Sequence, residues 1–120
     1  MKNLIRLTFN TKFESDSQRT PQYLAWHRIF KIAFTNYLAG LGINNVKVAK
    51  PNHFDALGFF QLENNQVFYF NLSDLRGSKD TLLVRKAQSF LDYQGGFNKF
   101  VSFTNYEDFD SQFRQVIGIN

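Results

Sequence analysis

The segment running from Gly58 to Leu72 sets two aromatic runs, Gly58-Phe-Phe-Gln-Leu and Val67-Phe-Tyr-Phe-Asn-Leu, on either side of Asn64 and Asn65. Asn tolerates positive φ, so this pair suits a two-residue hairpin loop. In that register Phe60, Leu62, Val67 and Tyr69 share one face, and Phe59, Gln61, Phe68 and Phe70 share the other. Both faces are apolar, whereas a small antiparallel sheet needs only one face for its core. The second face therefore calls for a cover: another element, a partner chain or a ligand.

A chain of 120 residues is expected to form one domain, residues 1–120, that buries roughly two thirds of its unfolded surface. Most of its 15 Phe rings must then be core. It has no Cys, which excludes a disulfide framework and thiolate metal sites and fits a reducing compartment. The N-terminus lacks a long apolar h-region, and no apolar run is long enough to span a bilayer. The expectation is a soluble, cytoplasmic protein with no membrane partner.

Periodicity supplies the elements. Leu4 to Phe9 alternates as a strand would. Thr20 as N-cap and Pro21 at the first helical position start a helix that Gly40 and Gly42 stop. At 100° per residue Tyr23, Trp26, His27, Phe30, Phe34, Tyr37, Leu38 and Leu41 fall on its apolar face, with Arg28 and Lys31 towards its flank and back. Asn45 to Lys50, with Val46 and Val48 inward, Thr81 to Ala87, and Lys99 to Phe103 read as further strands. Ser73 to Asp80 reads as a polar connector, and Gln88 to Asn98, which contains Gly95 and Gly96, as a loop. Thr104 and Glu107 match a capping box ahead of Phe109, Phe113, Val116 and Ile117 at helical spacing. The fold class predicted is α+β: a mostly antiparallel sheet of about five strands, a long amphipathic helix near the N-terminus and a short C-terminal helix.

The net charge of +4 conceals an asymmetry: residues 1–50 hold eight Lys/Arg against Glu14 and Asp16, while residues 51–120 hold more carboxylates than cations. Arg19, Arg28, Lys31, Lys47 and Lys50 would make one basic field, suited to phosphates or to an acidic protein surface. Asp74, Arg76, Lys79 and Asp80, with Arg85 and Lys86 at the end of the following strand, could form a second polar patch; solvated loop charge is the plain alternative. Tyr93 and Phe97 flank the Gly-Gly pair, where backbone can approach a partner while aromatics stack or anchor; a turn with its rings tucked into the core is the alternative.

No glycine-rich phosphate loop, nucleophile elbow or paired-His metal spacing occurs, so no cofactor is expected. His53 and Asp55 form the one local His–carboxylate pair. They suit a general base or part of a metal shell, and equally a brace for the turn after Pro51, the reading preferred here. His27, on the apolar helix face, reads as a hydrogen-bonded core histidine.

Gly58-Phe-Phe, Tyr69 to Arg76, Leu83 to Ala87 and Asp92 to Val101 together resemble small uncharacterised proteins of bacterial phages and mobile elements, over residues 53–103. The resemblance carries no catalytic residue. It implies a setting where small proteins bind nucleic acid or block host defence, as anti-CRISPR proteins do. The expected function is thus a non-enzymatic binding module engaging nucleic acid or a nucleic-acid-handling protein. The alternatives are a small metal-dependent nuclease or hydrolase using His53 and Asp55, or a structural protein that self-associates as a homodimer through the aromatic hairpin.

Overall fold

The computed structural model describes residues 1–5, 21–52, 55–72 and 81–120. In chain order these form helix α1 (Pro21–Gly40), strands β1 (Asn45–Val48), β2 (Ala56–Gln61), β3 (Val67–Leu72), β4 (Thr81–Ala87) and β5 (Lys99–Ser102), and helix α2 (Tyr106–Ile117). The five strands make one antiparallel meander in the order β1-β2-β3-β4-β5, so the chain is α+β as its periodicities require. Among the described residues no helix is long and apolar enough to cross a membrane.

Both helices lie on one face of the sheet. α1 buries Tyr23, Trp26, His27, Phe30, Phe34 and Leu38, the stripe its sequence marks out, and leaves Arg28 and Lys31 exposed. Its end is fixed by Gly42 at φ +85°, where the Gly42 and Ile43 amides donate to the Ala39 and Leu38 carbonyls at 3.0 and 2.9 Å. Phe34 is the hub of the core, its ring centroid 4.7 Å from Phe70, 5.2 Å from Phe30 and 5.9 Å from Phe113 of α2. Between the helices, the Tyr37 hydroxyl donates to Asp110 Oδ1 at 2.7 Å, and Arg114 Nε donates to the same oxygen at 3.0 Å. Burial, and then the bond to Asp110, push the Tyr37 phenol upward. The Tyr37 bond also holds the Asp110 carboxyl below its ordinary value.

The hairpin is present, but closes one residue away from the expected register. Phe60 faces Phe68 and Phe59 faces Tyr69. Asn65 alone takes positive φ, at 73°. Its amide donates to the Leu62 carbonyl at 3.0 Å, and Leu62 donates to the Gln66 carbonyl at 2.9 Å. This is a three-residue loop, a turn followed by a left-handed residue, rather than a two-residue one. A one-residue shift moves a whole strand's side chains to the opposite face. Phe60 therefore joins Phe68 and Phe70 in the main core, while Phe59, Val67 and Tyr69 form a second cluster on the other face.

Two boundaries also differ. Residues 2–5 are helical rather than extended, which lets the neighbours Leu4 and Ile5 both enter the core; a strand would send them to opposite sides. Residues 6–9 of the expected strand, and Thr20, lie outside the described residues. The cap of α2 is Asn105 rather than Thr104: its Oδ1 accepts from the Asp108 amide at 2.9 Å, and its Nδ2 donates to Asp108 Oδ2 at 3.0 Å. Asn is the stronger capping residue. The Thr104 hydroxyl instead bonds the Ser102 hydroxyl at 2.9 Å.

His27 is a buried core histidine, as expected, hydrogen-bonded to the Ala49 backbone, with Nε2 lacking a partner among the described residues. Burial, then the nearby Lys31 charge, hold its pKa below 6.5. The folded state thus resists a proton that the unfolded chain accepts. The stability this contributes is complete above pH 6.5 and is lost as pH falls below it, by at most about 1.4 kcal/mol per pH unit. Urea midpoints of the wild type should decline from pH 6.5 downward, and His27→Leu should flatten that part of the profile.

Candidate functional site

β4 and β5 pair from Thr81 opposite Ser102 to Val84 opposite Lys99, and then part. β4 continues to Ala87 against β3, while the returning chain forms the loop over residues 88–98. In the angle between them lies a cleft of about 250 Å³. Its floor is apolar: Phe68 and Val84, both buried, and Val116 from the last turn of α2. Its rim is cationic and aromatic, formed by Lys86, Lys99 and Phe97, with Arg85 and Gly96 completing the lining. Among the described residues no carboxylate lines it.

The loop is built by Asp92. Its Oδ2 accepts from the Gln88 amide at 2.9 Å, and its Oδ1 accepts from the Gly95 amide at 2.9 Å and the Gln94 amide at 3.3 Å. The amides of Gln88 and Gln94 hold the carboxyl below its ordinary value. The loop then presses Gly96 against β4. At φ +78°, with the Lys86 carbonyl oxygen 2.6 Å from where a Cβ would sit, this position admits only glycine. The same loop supplies the cover that the second hairpin face needs. Phe90 stacks on Phe59 at 5.7 Å, and Tyr93 meets Phe59 edge-on at 5.1 Å and Tyr69 at 6.0 Å. The chain itself thus buries the face for which a second copy was a candidate cover.

Arg85 Cζ lies over the Tyr69 ring, 4.4 Å from its centroid, a cation–π contact that is strongest when desolvated. Its Nε and Nη2 are buried and have no hydrogen-bond partner among the described residues, and its charge adds to the forces that keep Asp92 ionised. Arg85 therefore braces the loop, while the exposed Lys86 and Lys99 face solvent. Phe97, Leu91, Phe100 and Tyr93 are 89%, 77%, 58% and 52% exposed, which gathers four of the six exposed large apolar side chains of the described chain at this end.

The site residues expected from sequence divide into two groups. Arg85, Lys86 and Phe97 come together at the cleft, while Tyr93 packs on Phe59 and Tyr69 on the other face of the sheet. Lys47 and Lys50, both exposed, belong to β1 and its continuation, and His27 ties α1, with Arg28 and Lys31, to Ala49 beside them. β1 and β5 are opposite edges of the sheet, about 19 Å apart at ordinary strand spacing. Arg28, Lys31, Lys47 and Lys50 therefore do not join Arg85 and Lys86 in one field. Lys99 and Val116 were missed because each reads as an ordinary strand or helix position. The signal that would have found Lys99 is its pairing with Val84, which puts it on the same face as Lys86.

Arg19, His53, Arg76 and the rest of the 73–80 connector lie outside the described residues. At Asp55, the backbone amide donates to Asn52 Oδ1 at 3.1 Å, and the carbonyl accepts from the Tyr23 hydroxyl at 2.7 Å. Among the described residues no three His, Asp or Glu side chains gather as a metal site. No family model, curated protein or solved structure matches the chain.

Proposed function

We propose that the chain is a binding module for single-stranded nucleic acid and that it engages its ligand at the β4–β5 end. The observation that carries this reading is the convergence of Lys86, Lys99 and the 89%-exposed Phe97 on a cleft that no carboxylate of the described residues lines. Ammonium groups neutralise phosphates, and exposed rings stack on unpaired bases; together these are the two parts of a sequence-tolerant single-strand site. A duplex keeps its bases stacked on one another and offers such rings nothing. Binding rather than turnover is proposed, in the phage or mobile-element setting that the sequence resemblance implies. The second reading is an acidic protein partner, favoured by the exposed Leu91 and Phe100, which a protein surface would bury.

Fluorescence anisotropy with labelled single- and double-stranded oligonucleotides at several salt concentrations tests the proposal. Two or three phosphate contacts on a single strand predict a log–log slope of about −1.4 to −2, and Lys86→Ala with Lys99→Ala should remove about 1.4 of it. Arg28→Ala with Lys31→Ala should leave the slope nearly unchanged. Absence of single-strand binding at about 50 mM salt, the regime where such contacts are strongest, would favour the protein partner instead.

A further inference from the structure

We infer that the β4–β5 cleft is a pocket for a single nucleobase turned out of the bound strand, with Phe97 as its stacking partner and Lys86 and Lys99 on the flanking phosphates. This deepens the single-strand reading and rests on it. A surface that merely tracks a strand needs a groove and a row of rings; here one blind cleft ends on the buried Phe68 and Val84. Its volume of about 250 Å³ falls short of the roughly 300–1,000 Å³ of sites for drug-sized ligands, so it takes one ring system and not a run of bases. The floor is hydrocarbon and aromatic, which suits the faces and edges of a base, and among the described residues it offers no side-chain donor or acceptor to read its identity. The pocket is therefore tolerant of which base enters.

The cations are placed for the backbone on either side of that base. Val84 pairs with Lys99, and Lys86 follows Val84 by two residues on the same face of β4. The two lysines are diagonal neighbours, a separation of about 7–8 Å at ordinary sheet geometry, and can flank one nucleotide. Phe97 needs no rearrangement to serve: its ring already lines the cleft and is almost wholly exposed. Asp92, which builds the loop carrying it, spends its carboxylate on three backbone amides and so presents little repulsion to a phosphate.

The test uses a pyrimidine single strand carrying one 2-aminopurine, whose fluorescence responds to stacking, and the same strand with an abasic residue at that position. The proposal expects the 2-aminopurine signal to change on binding. It also expects Phe97→Ala to abolish that change and weaken affinity by roughly five- to a hundredfold, and the abasic strand to show a comparable loss against the wild type. The abasic arm changes the ligand alone, so no unfolding of a variant can mimic it. Tight binding with an unchanged 2-aminopurine signal, and equal affinity for the abasic strand, would overturn the base pocket while the single-strand reading stood. Failure of the wild type to bind any single strand would overturn both.

Discussion

Phe34→Ala is expected to cost about 3–5 kcal/mol, a large part of the roughly 5–15 kcal/mol that holds a domain of this size together. The residue is fully buried, and its ring touches both helices and both strands of the hairpin through Phe30, Phe113, Phe60 and Phe70. Truncation there opens a cavity that neighbouring rings, already stacked on one another, cannot collapse into. Phe59→Ala should also be costly, about 3 kcal/mol, because Phe90 and Tyr93 roof that side of the sheet. Phe97→Ala, at a ring 89% exposed, should stay within about 0.5 kcal/mol. Urea unfolding of the three variants distinguishes a core with two sides from a core with one. A Phe59→Ala variant as stable as the wild type would show that the loop does not bury the second face.

Gly58→Ala is expected to be nearly as severe, although it adds a single methyl group. Gly58 sits opposite Val48 on the helix-covered face, and a Cβ there would overlap the Lys47 carbonyl oxygen and lie 2.9 Å from Phe70 Cζ. The first neighbour is backbone, so no rotamer change relieves the contact and β1 must move away from β2. Overpacking of this kind costs about 1–3 kcal/mol and more where backbone is displaced. The distinguishing signature is local: amide exchange should accelerate at Lys47 of β1 and at Ala49 just beyond it, which face Phe59 and Leu57, ahead of the β3 and β4 amides. Uniform acceleration throughout the sheet would instead mean that β1 is not a separable edge.

The architecture was legible because strong periodic signals fix the type of an element. The aromatic stripe of α1 and the alternation of β4 each admit one reading, and the structure has both. The hairpin register was not legible, for a physical reason. Register is strongly specified where one face is apolar and the other polar. Phe59, Phe60, Phe68, Tyr69 and Phe70 make both faces apolar, so a shift of one residue buries about as much either way. The choice then falls to the loop, and Asn64-Asn65 is compatible with a two-residue turn or with a three-residue loop ending in left-handed Asn65. The cap of α2 shows the same ambiguity at smaller scale, since Thr104 and Asn105 are adjacent capping residues and Asn105 is the better one.

The candidate site was half legible. Arg85, Lys86, Tyr93 and Phe97 drew attention as cations next to a strand end and aromatics around a Gly-Gly pair; the fold brings Arg85, Lys86 and Phe97 to the cleft and turns Tyr93 onto Phe59 and Tyr69. Counting charge by halves of the chain drew attention to the β1 side, and the meander sets β5, with Lys99, at the opposite edge. Arg85 also illustrates what composition leaves out. Facing Tyr69 across the β3–β4 pair, it spends its guanidinium on that ring and the loop, so of the two adjacent cations Lys86 is the one left exposed.

The most direct test of the account is a titration of the ¹⁵N-labelled protein with a short single-stranded oligonucleotide, followed through its backbone amide resonances. The largest shifts are predicted at residues 84–86, 96–99 and 116, around the cleft, with Arg28, Lys31, Lys47 and Lys50 little changed. Shifts centred on those four residues instead, or a spectrum unaltered by excess oligonucleotide at low salt, would contradict it.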